Sequence, residues 1–316
     1  MMQRFSDELL ASLKGKRCLV TGAAGMVGRH VVELLSEIGA DVTPTDMRSV
    51  VGSTMLVADL RYFDLCERMT EGMDCVFHVA GLKGSAKDTS EHASRYFVPM
   101  LQMDTNILEA CHLNKVPQVV FTSSIGAYAV GATALMEFDA FNGQPMDIPG
   151  WAKRMGDLQI SLYCKEYGYN WAVVRLAHIY GPWDKFTEDA MFIPSLLARL
   201  KRGDKQIELL GTGTSERDFL YAEDTAEGII RALIKGTKGD VVNLGSGKGF
   251  SIRKVAGIVN SFIPFHYRFN GLGQSYSHRV LDIHRAKKRL GWKPRISLED
   301  GLRRTWEWLK AQEGGG

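Results

Sequence analysis

The stretch "VTGAAGMVG" (Val20–Gly28) limits what this chain can fold into more than any other. Gly22, Gly25 and Gly28 follow an apolar run, "RCLVTG" (Arg17–Gly22). They open "MVGRHVVELLSEIG", whose apolar residues recur at helical spacing and which ends on Gly39. Glycines between a buried strand and an amphipathic helix serve three physical needs. One permits the tight turn, one lets the backbone approach a pyrophosphate, and one allows the helix to pack closely on the strand. The helix N-terminus adds amide donors and partial positive charge. Taken alone, the pattern also suits a plain strand-to-helix turn.

The same alternation continues along the chain. "DVTPTD" (Asp41–Asp46), "TMLVAD" (Thr54–Asp59), "CVFHVAG" (Cys75–Gly81), "QVVFTSS" (Gln118–Ser124) and "WAVVRLA" (Trp171–Ala177) read as further strands. A helical stretch spans roughly Glu91–Leu113, and another runs past Lys153 to about Gly168. Strands that are apolar on both faces and separated by helices form a parallel sheet covered on both sides. The predicted fold is therefore α/β, a Rossmann-type doubly wound parallel sheet over residues 1–176. Residues 177–316 are less regular and are expected to form mainly a smaller, mixed α/β lobe, with some segments returning to the sheet. No Pro- or Ser-rich linker separates the two.

Context strengthens the glycine turn. Asp46 closes the second strand at close to the ~20-residue spacing at which a carboxylate reaches an adenosine ribose. A carboxylate there repels a 2′-phosphate and favours NAD, whereas the nearby Arg48 keeps NADP as the less favoured alternative. Met26 and Val27 at the helix start, with Leu60 and Ala80 after the third and fourth strands, complete the expected cofactor contacts. Asp59 either reaches the adenine or is a strand-end turn residue.

With 45% hydrophobic and 24% charged residues over 316 positions, the composition is that of a soluble globular protein. A net charge of +3 is too small to argue for nucleic acid. "RAKKR" (Arg285–Arg289) reads as a solvated helix face. No apolar run is long enough for a membrane span, and the N-terminal segment has no apolar core of a secretion signal. The 5 cysteines are dispersed, without a CxxC pair, which suggests buried thiols in a reducing cytoplasm and no metal site. Gly314–Gly316 reads as a frayed tail.

The chain resembles the extended short-chain dehydrogenase/reductase family, the nucleotide-sugar epimerases, dehydratases and reductases, over nearly its whole length. "HVAGLKG" (His78–Gly84) is similar to the fourth-strand segment of UDP-galactose 4-epimerases and implies that Lys83 helps hold the cofactor. "FTSSIGAY" resembles the catalytic serine strand, with Ser124 in the usual position. "RLAHIYGP", "GTGTSERDFLYAEDTA" and "HRVLDIHRAKKRLGWKPRISLEDGL" resemble the substrate lobe, the last closest in wording to the GDP-fucose synthases. The resemblance implies that Arg217, with Arg279 as a second candidate, contacts the substrate pyrophosphate. Planar guanidinium forks suit phosphate oxygens, though either residue could instead form a surface ion pair.

The family signature is a tyrosine, three residues, then a lysine. In "DIPGWAKRMGD" (Asp147–Asp157) Lys153 takes the lysine position, but Pro149 stands where the tyrosine would be. Proline has no proton to exchange. Asp147 and Pro149 read as a helix start, a cap followed by a first-turn proline. Trp151 either walls a sugar pocket or packs in the core. Gly126 and Thr187 occupy the places of the cysteine and histidine that GDP-fucose synthases use for 3,5-epimerisation. His178 replaces an asparagine in "N-x-Y-G", either as a new acid/base or as a hydrogen-bonding pocket residue.

These features imply hydride transfer at C4 of a nucleotide-linked sugar, by a dehydrogenase or a 4-epimerase, with GDP-sugars favoured over UDP-sugars. Ser124, Lys153 and His178 are the candidate catalytic residues, and Ser124, His178, Arg217 and Arg279 the candidate substrate contacts. Lys153 would bond the nicotinamide ribose or, if burial lowers its pKa, act as base. The alternative is a catalytically silent NAD- or nucleotide-sugar-binding regulator. The helices around Glu91–Leu113 and Lys153–Gly168 resemble the family's dimer-forming pair and imply a homodimer.

Overall fold

The computed structural model describes residues 5–50, 52–131, 135–272 and 277–312. The glycine tail named above lies outside them. Strands β1 (Arg17–Thr21), β2 (Asp41–Asp46), β3 (Leu56–Val57), β4 (Cys75–His78), β5 (Gln118–Ser124) and β6 (Ala172–Leu176) belong to one sheet. Short strands β7 (His178–Tyr180), β8 (Gln206–Leu209), β9 (Glu216–Arg217) and β10 (Phe219–Tyr221) follow. After them come β11 (Val241–Leu244), β12 (Phe250–Ser251), β13 (His266–Phe269) and β14 (His278–Arg279). The large sheet has 7 strands in the order β11-β6-β5-β4-β1-β2-β3, all pairs parallel. Strand order reverses between β1 and β4, and ligands of open α/β sheets bind outside the strand ends at such a point.

Helices α1 (Asp7–Leu13), α2 (Met26–Ile38), α3 (Phe63–Thr70), α4 (Ala86–Glu91), α5 (Ala93–Leu113) and α6 (Ile148–Tyr167) lie in the first half. In the second half are α7 (Phe192–Lys201), α8 (Ala222–Lys235), α9 (Ile252–Asn260) and α10 (Leu298–Ala311). One core joins the sheet to α2 and α8 through Val20, Leu35, Phe77, Ile229 and Leu233. The opposite face joins it to α3, α5 and α6 through Leu19, Cys66, Ile107, Phe121 and Ile160. A third core, with Leu197, Ile207, Val255 and Leu302, belongs to the smaller lobe. All 5 cysteines are buried and free.

Local chemistry sets the element ends. Helix α2 stops at Gly39, whose φ of 85° is left-handed. Helix α6 starts where Asp147 accepts a hydrogen bond from the Gly150 N–H at 2.7 Å, with Pro149 in the first turn. The helix expected at roughly Glu91–Leu113 is α5, beginning at Ala93. The short α4 before it is not read from the sequence and is set off at His92, whose φ of −123° leaves the helical region. Its Nδ1 bonds Asp88 at 2.9 Å. Of "TMLVAD" only Leu56–Val57 pairs with β2. Beyond residue 176, β11 returns to the sheet beside β6, and α8 packs on its face.

Candidate active site

The glycine turn sits at the point where strand order reverses. Gly22 has a φ of +70°, and a Cβ there would lie 2.7 Å from the Ala80 Cα. A Cβ on Gly28 would lie 2.1 Å from the Gly22 carbonyl oxygen. Only glycine lets the turn, α2 and the end of β4 approach this closely. Helix α2 begins with no side-chain cap and no acidic residue in its first turn. Its leading N–H groups are therefore left for an anion. Met26 is buried and Val27 packs on the core behind the turn.

Asp46 closes β2 beside this turn. Its Oδ2 accepts from the Ala24 N–H at 3.1 Å, and its Oδ1 accepts from Arg48 N at 3.0 Å and Nε at 3.3 Å. Asp59 is engaged by the Arg61 guanidinium, which bonds both carboxylate oxygens and holds its pKa below the ordinary value. Leu60 is buried, and its carbonyl accepts from Asn106 at 3.0 Å. The cradle, the free helix start and the strand-end carboxylate fit a dinucleotide, and Gly22, Gly25, Met26, Val27, Gly28 and Asp46 would hold it.

Lys153 reaches this cradle from α6. Its Nζ donates to the Ala80 carbonyl at 3.3 Å and to Asp104 Oδ1 at 3.2 Å, and lies 4.6 Å from the Phe121 ring centroid. Ala80 is the residue that abuts Gly22, so the ammonium stands at the mouth of the glycine turn. Asp104, on α5, was not singled out from the sequence. Its helix pattern reads as one more buried-face position, and its partners are far away in the chain.

On the neighbouring strand, Ser124 Oγ accepts from the Gly126 N–H at 3.1 Å. A Cβ on Gly126 would lie 2.6 Å from Asp147 Oδ1, and one on Gly150 would lie 2.1 Å from the Gly126 carbonyl oxygen. The start of α6 is thus packed directly on the turn after Ser124, with Pro149 at their junction. Trp151 is 36% exposed, which rules out core packing, and its ring faces Arg154 at 5.7 Å.

The smaller lobe supplies the facing wall. Strands β9 and β14 pair in parallel with Arg217 opposite Arg279. Burial, then Arg279, pushes the Arg217 pKa down to about 10. Arg279 is lowered by burial, with Asp147 acting in the opposite sense. Arg217 Nη1 donates to Ser277 Oγ at 2.8 Å, and among the described residues neither guanidinium forms an ion pair. Two half-buried, adjacent cations give this wall a positive potential, against which Asp147 is the carboxylate acting on Arg279.

His178 Nδ1 donates to the Asp218 carbonyl at 3.3 Å, which leaves Nε2 as an acceptor. Burial, then Arg217 and Arg279, drives its pKa to about 3. The imidazole is neutral at pH 7 and suits a hydrogen-bonding role better than proton storage. Lys83, after β4, pairs with Asp184 of the loop after β7 at 2.7 Å. Around "RAKKR", Lys287, Lys288 and Arg289 are exposed while Ala286 and Leu290 are buried. No helix among the described residues is long and apolar enough to cross a membrane.

Residues 18–245 match the NAD dependent epimerase/dehydratase family. The chain belongs to that family. It is 29% identical to GDP-mannose 3,5-epimerase 1 of Oryza sativa subsp. japonica over 94% of this chain and 82% of that protein. It is also 29% identical to a putative UDP-glucose 4-epimerase of Methanocaldococcus jannaschii, over 92% of this chain and 98% of the relative. Among solved structures, the UDP-glucose 4-epimerase of Thermotoga maritima with UDP-glucose is 27% identical. It superposes with a TM-score of 0.82 over 93% of this chain and 99% of that one. The relatives named here are epimerases of nucleotide sugars.

Proposed function

We propose that this family member oxidises a nucleotide-linked sugar at C4, as a 4-dehydrogenase or 4-epimerase, with GDP-sugars favoured over UDP-sugars. The observation that carries the proposal is the placement of the Lys153 ammonium at the glycine turn, while Arg217 and Arg279, in no ion pair among the described residues, form the facing wall. A dinucleotide in the first position and a diphosphate in the second bring a sugar to the space beside Ser124 and His178. NAD, when bound, accepts the hydride and can return it. Asp46 favours NAD over NADP because a 2′-phosphate would meet its carboxylate.

Each side chain then has a task. Lys153 donates hydrogen bonds and positive charge to the nicotinamide ribose. Ser124 holds the reacting hydroxyl, and neutral His178 accepts from a sugar hydroxyl through Nε2. As the C4–H bond gives up its hydride, the hydroxyl proton leaves to water, since Pro149 offers no acceptor. A water in place of a positioned base costs about 10²–10⁴-fold in rate. Low turnover is therefore expected.

The second reading, a silent sensor of NAD or a nucleotide sugar, draws on the same proline. One mixing experiment separates the two. Protein and NAD are incubated with a panel of GDP- and UDP-sugars while the NADH absorbance and the sugar products are followed. NADH or an altered sugar supports the enzyme. Measurable binding with neither favours the sensor.

Quaternary structure belongs to the same proposal. Val98 on α5 and Leu158 and Leu162 on α6 are 47%, 40% and 53% exposed. An apolar strip on two adjacent helices suits burial against a second copy. A homodimer is expected by light scattering, and a clean monomer at micromolar concentration would refute it. The free, buried thiols suit a reducing compartment, and we assign the protein to the cytoplasm on that basis.

A further inference from the structure

Asp104 lies on α5, wholly buried, and its Oδ1 takes two hydrogen bonds at once. Lys153 Nζ donates at 3.2 Å and His78 Nε2 at 2.8 Å. His78 is itself wholly buried, and its Nδ1 lies 2.8 Å from Thr21 Oγ1. Thr21 Oγ1 also accepts from the Val79 and Ala80 N–H groups, each at 3.2 Å, so its own hydrogen is free for the imidazole. That fixes the tautomer: Nδ1 accepts from Thr21, and Nε2–H donates to Asp104. The second oxygen, Oδ2, is buried with no hydrogen-bond partner.

These contacts settle where the proton sits. An acid proton on Oδ2 would be a buried donor with nothing to receive it, which is costly. An oxygen accepting from both an ammonium and an imidazole N–H is a carboxylate oxygen. His78 is neutral, because burial lowers its pKa against the pull of Asp104. Asp157, on the same helix as Lys153, is bonded to Arg175 at 2.8 Å. Among the described residues, the cation that meets Asp104 at contact is therefore Lys153.

We propose that Asp104 is a positioning residue that anchors the Lys153 ammonium at the glycine turn, an orienting contact that does not depend on a tyrosine at position 149. The consequence is specific. Lys153 cannot act as the base, and the site keeps its orienting cation although the phenol is gone. The charge assignment stands on these contacts and on the burial of His78. Its consequence for the cofactor rests on the function proposed above.

Lysine labelled with 13C at Cε reads the charge of Lys153 directly, with its signal assigned by loss in Lys153→Met. In the unaltered protein the signal should stay at the ammonium position from about pH 6 to about pH 10. In Asp104→Asn, which keeps the shape and removes the charge, the midpoint should fall by about one pH unit or more. NAD affinity of that variant, measured by calorimetry near neutral pH, should weaken about tenfold as the ammonium loses the carboxylate that orients it. A folded Asp104→Asn with an unchanged Lys153 titration overturns the proposal. If that variant does not fold, titration of Lys153 below about pH 9 in the unaltered protein overturns it as well. A shifted titration together with NAD affinity that Lys153→Met leaves unaltered upholds Asp104 as the charge partner and refutes the cofactor reading.

Discussion

Arg217 and Arg279 stand opposite each other on two neighbouring parallel strands, and among the described residues no carboxylate pairs with either. Like charges placed side by side and partly buried oppose folding unless an anion joins them. Arg217→Met or Arg279→Met is expected to weaken GDP and UDP binding by about 10–100-fold each, the loss of a charge-assisted bond. The ligand-free protein should unfold at the same temperature or higher. Unchanged nucleotide affinity in isothermal calorimetry would exclude the pair as a diphosphate site.

Lys153 and Asp104 should behave as one unit in stability measurements. Removing either partner of a buried ion pair costs about 3–5 kcal/mol, because the other charge is left unpaired. Lys153→Met and Asp104→Leu are each expected to destabilise by that order in urea. The double variant should lose clearly less than the sum of the two. Simple additivity would show that the two groups do not sense each other.

Pro149 marks the missing phenol, and residues four apart share a helix face. Pro149→Tyr therefore presents a hydroxyl on the side of α6 that carries Lys153. If turnover is limited by a missing base, the variant should form NADH from the matching sugar nucleotide about 10²–10⁴-fold faster. A variant that still binds NAD and gains nothing would argue for the silent sensor.

His178 gives a pH test. Its pKa falls from 6.5 to about 3 on folding, through burial first and the two arginines next. The unfolded chain therefore binds a proton that the folded chain refuses across this window. Stability is fully present above the ordinary histidine pKa and is lost as pH falls toward the lower value. His178→Gln should lose stability less steeply on acidification over that range. His78 is lowered in the same direction and remains, so the slope should shrink without vanishing. An identical acid profile in the variant would show that His178 does not carry this depressed titration.

The sequence alone determined which segments become the successive Rossmann strands, the glycine turn, and the start of α6 at Asp147 and Pro149. It also marked the stops at Gly39 and Gly168. Each is a short-range consequence of dihedral freedom, capping or hydrophobic period, which lie within a few residues of one another. The 6 residues of α4, Ala86–Glu91, escaped that reading because so short a helix carries no hydrophobic period to recognise. Arg217 and Arg279 could be named from motifs, but their register could not. Only the tertiary structure brought Asp104 to Lys153, 49 residues on, and Lys83 to Asp184, 101 residues on. Contacts at such separations are set by how strands pair and helices pack, and no local periodicity records them.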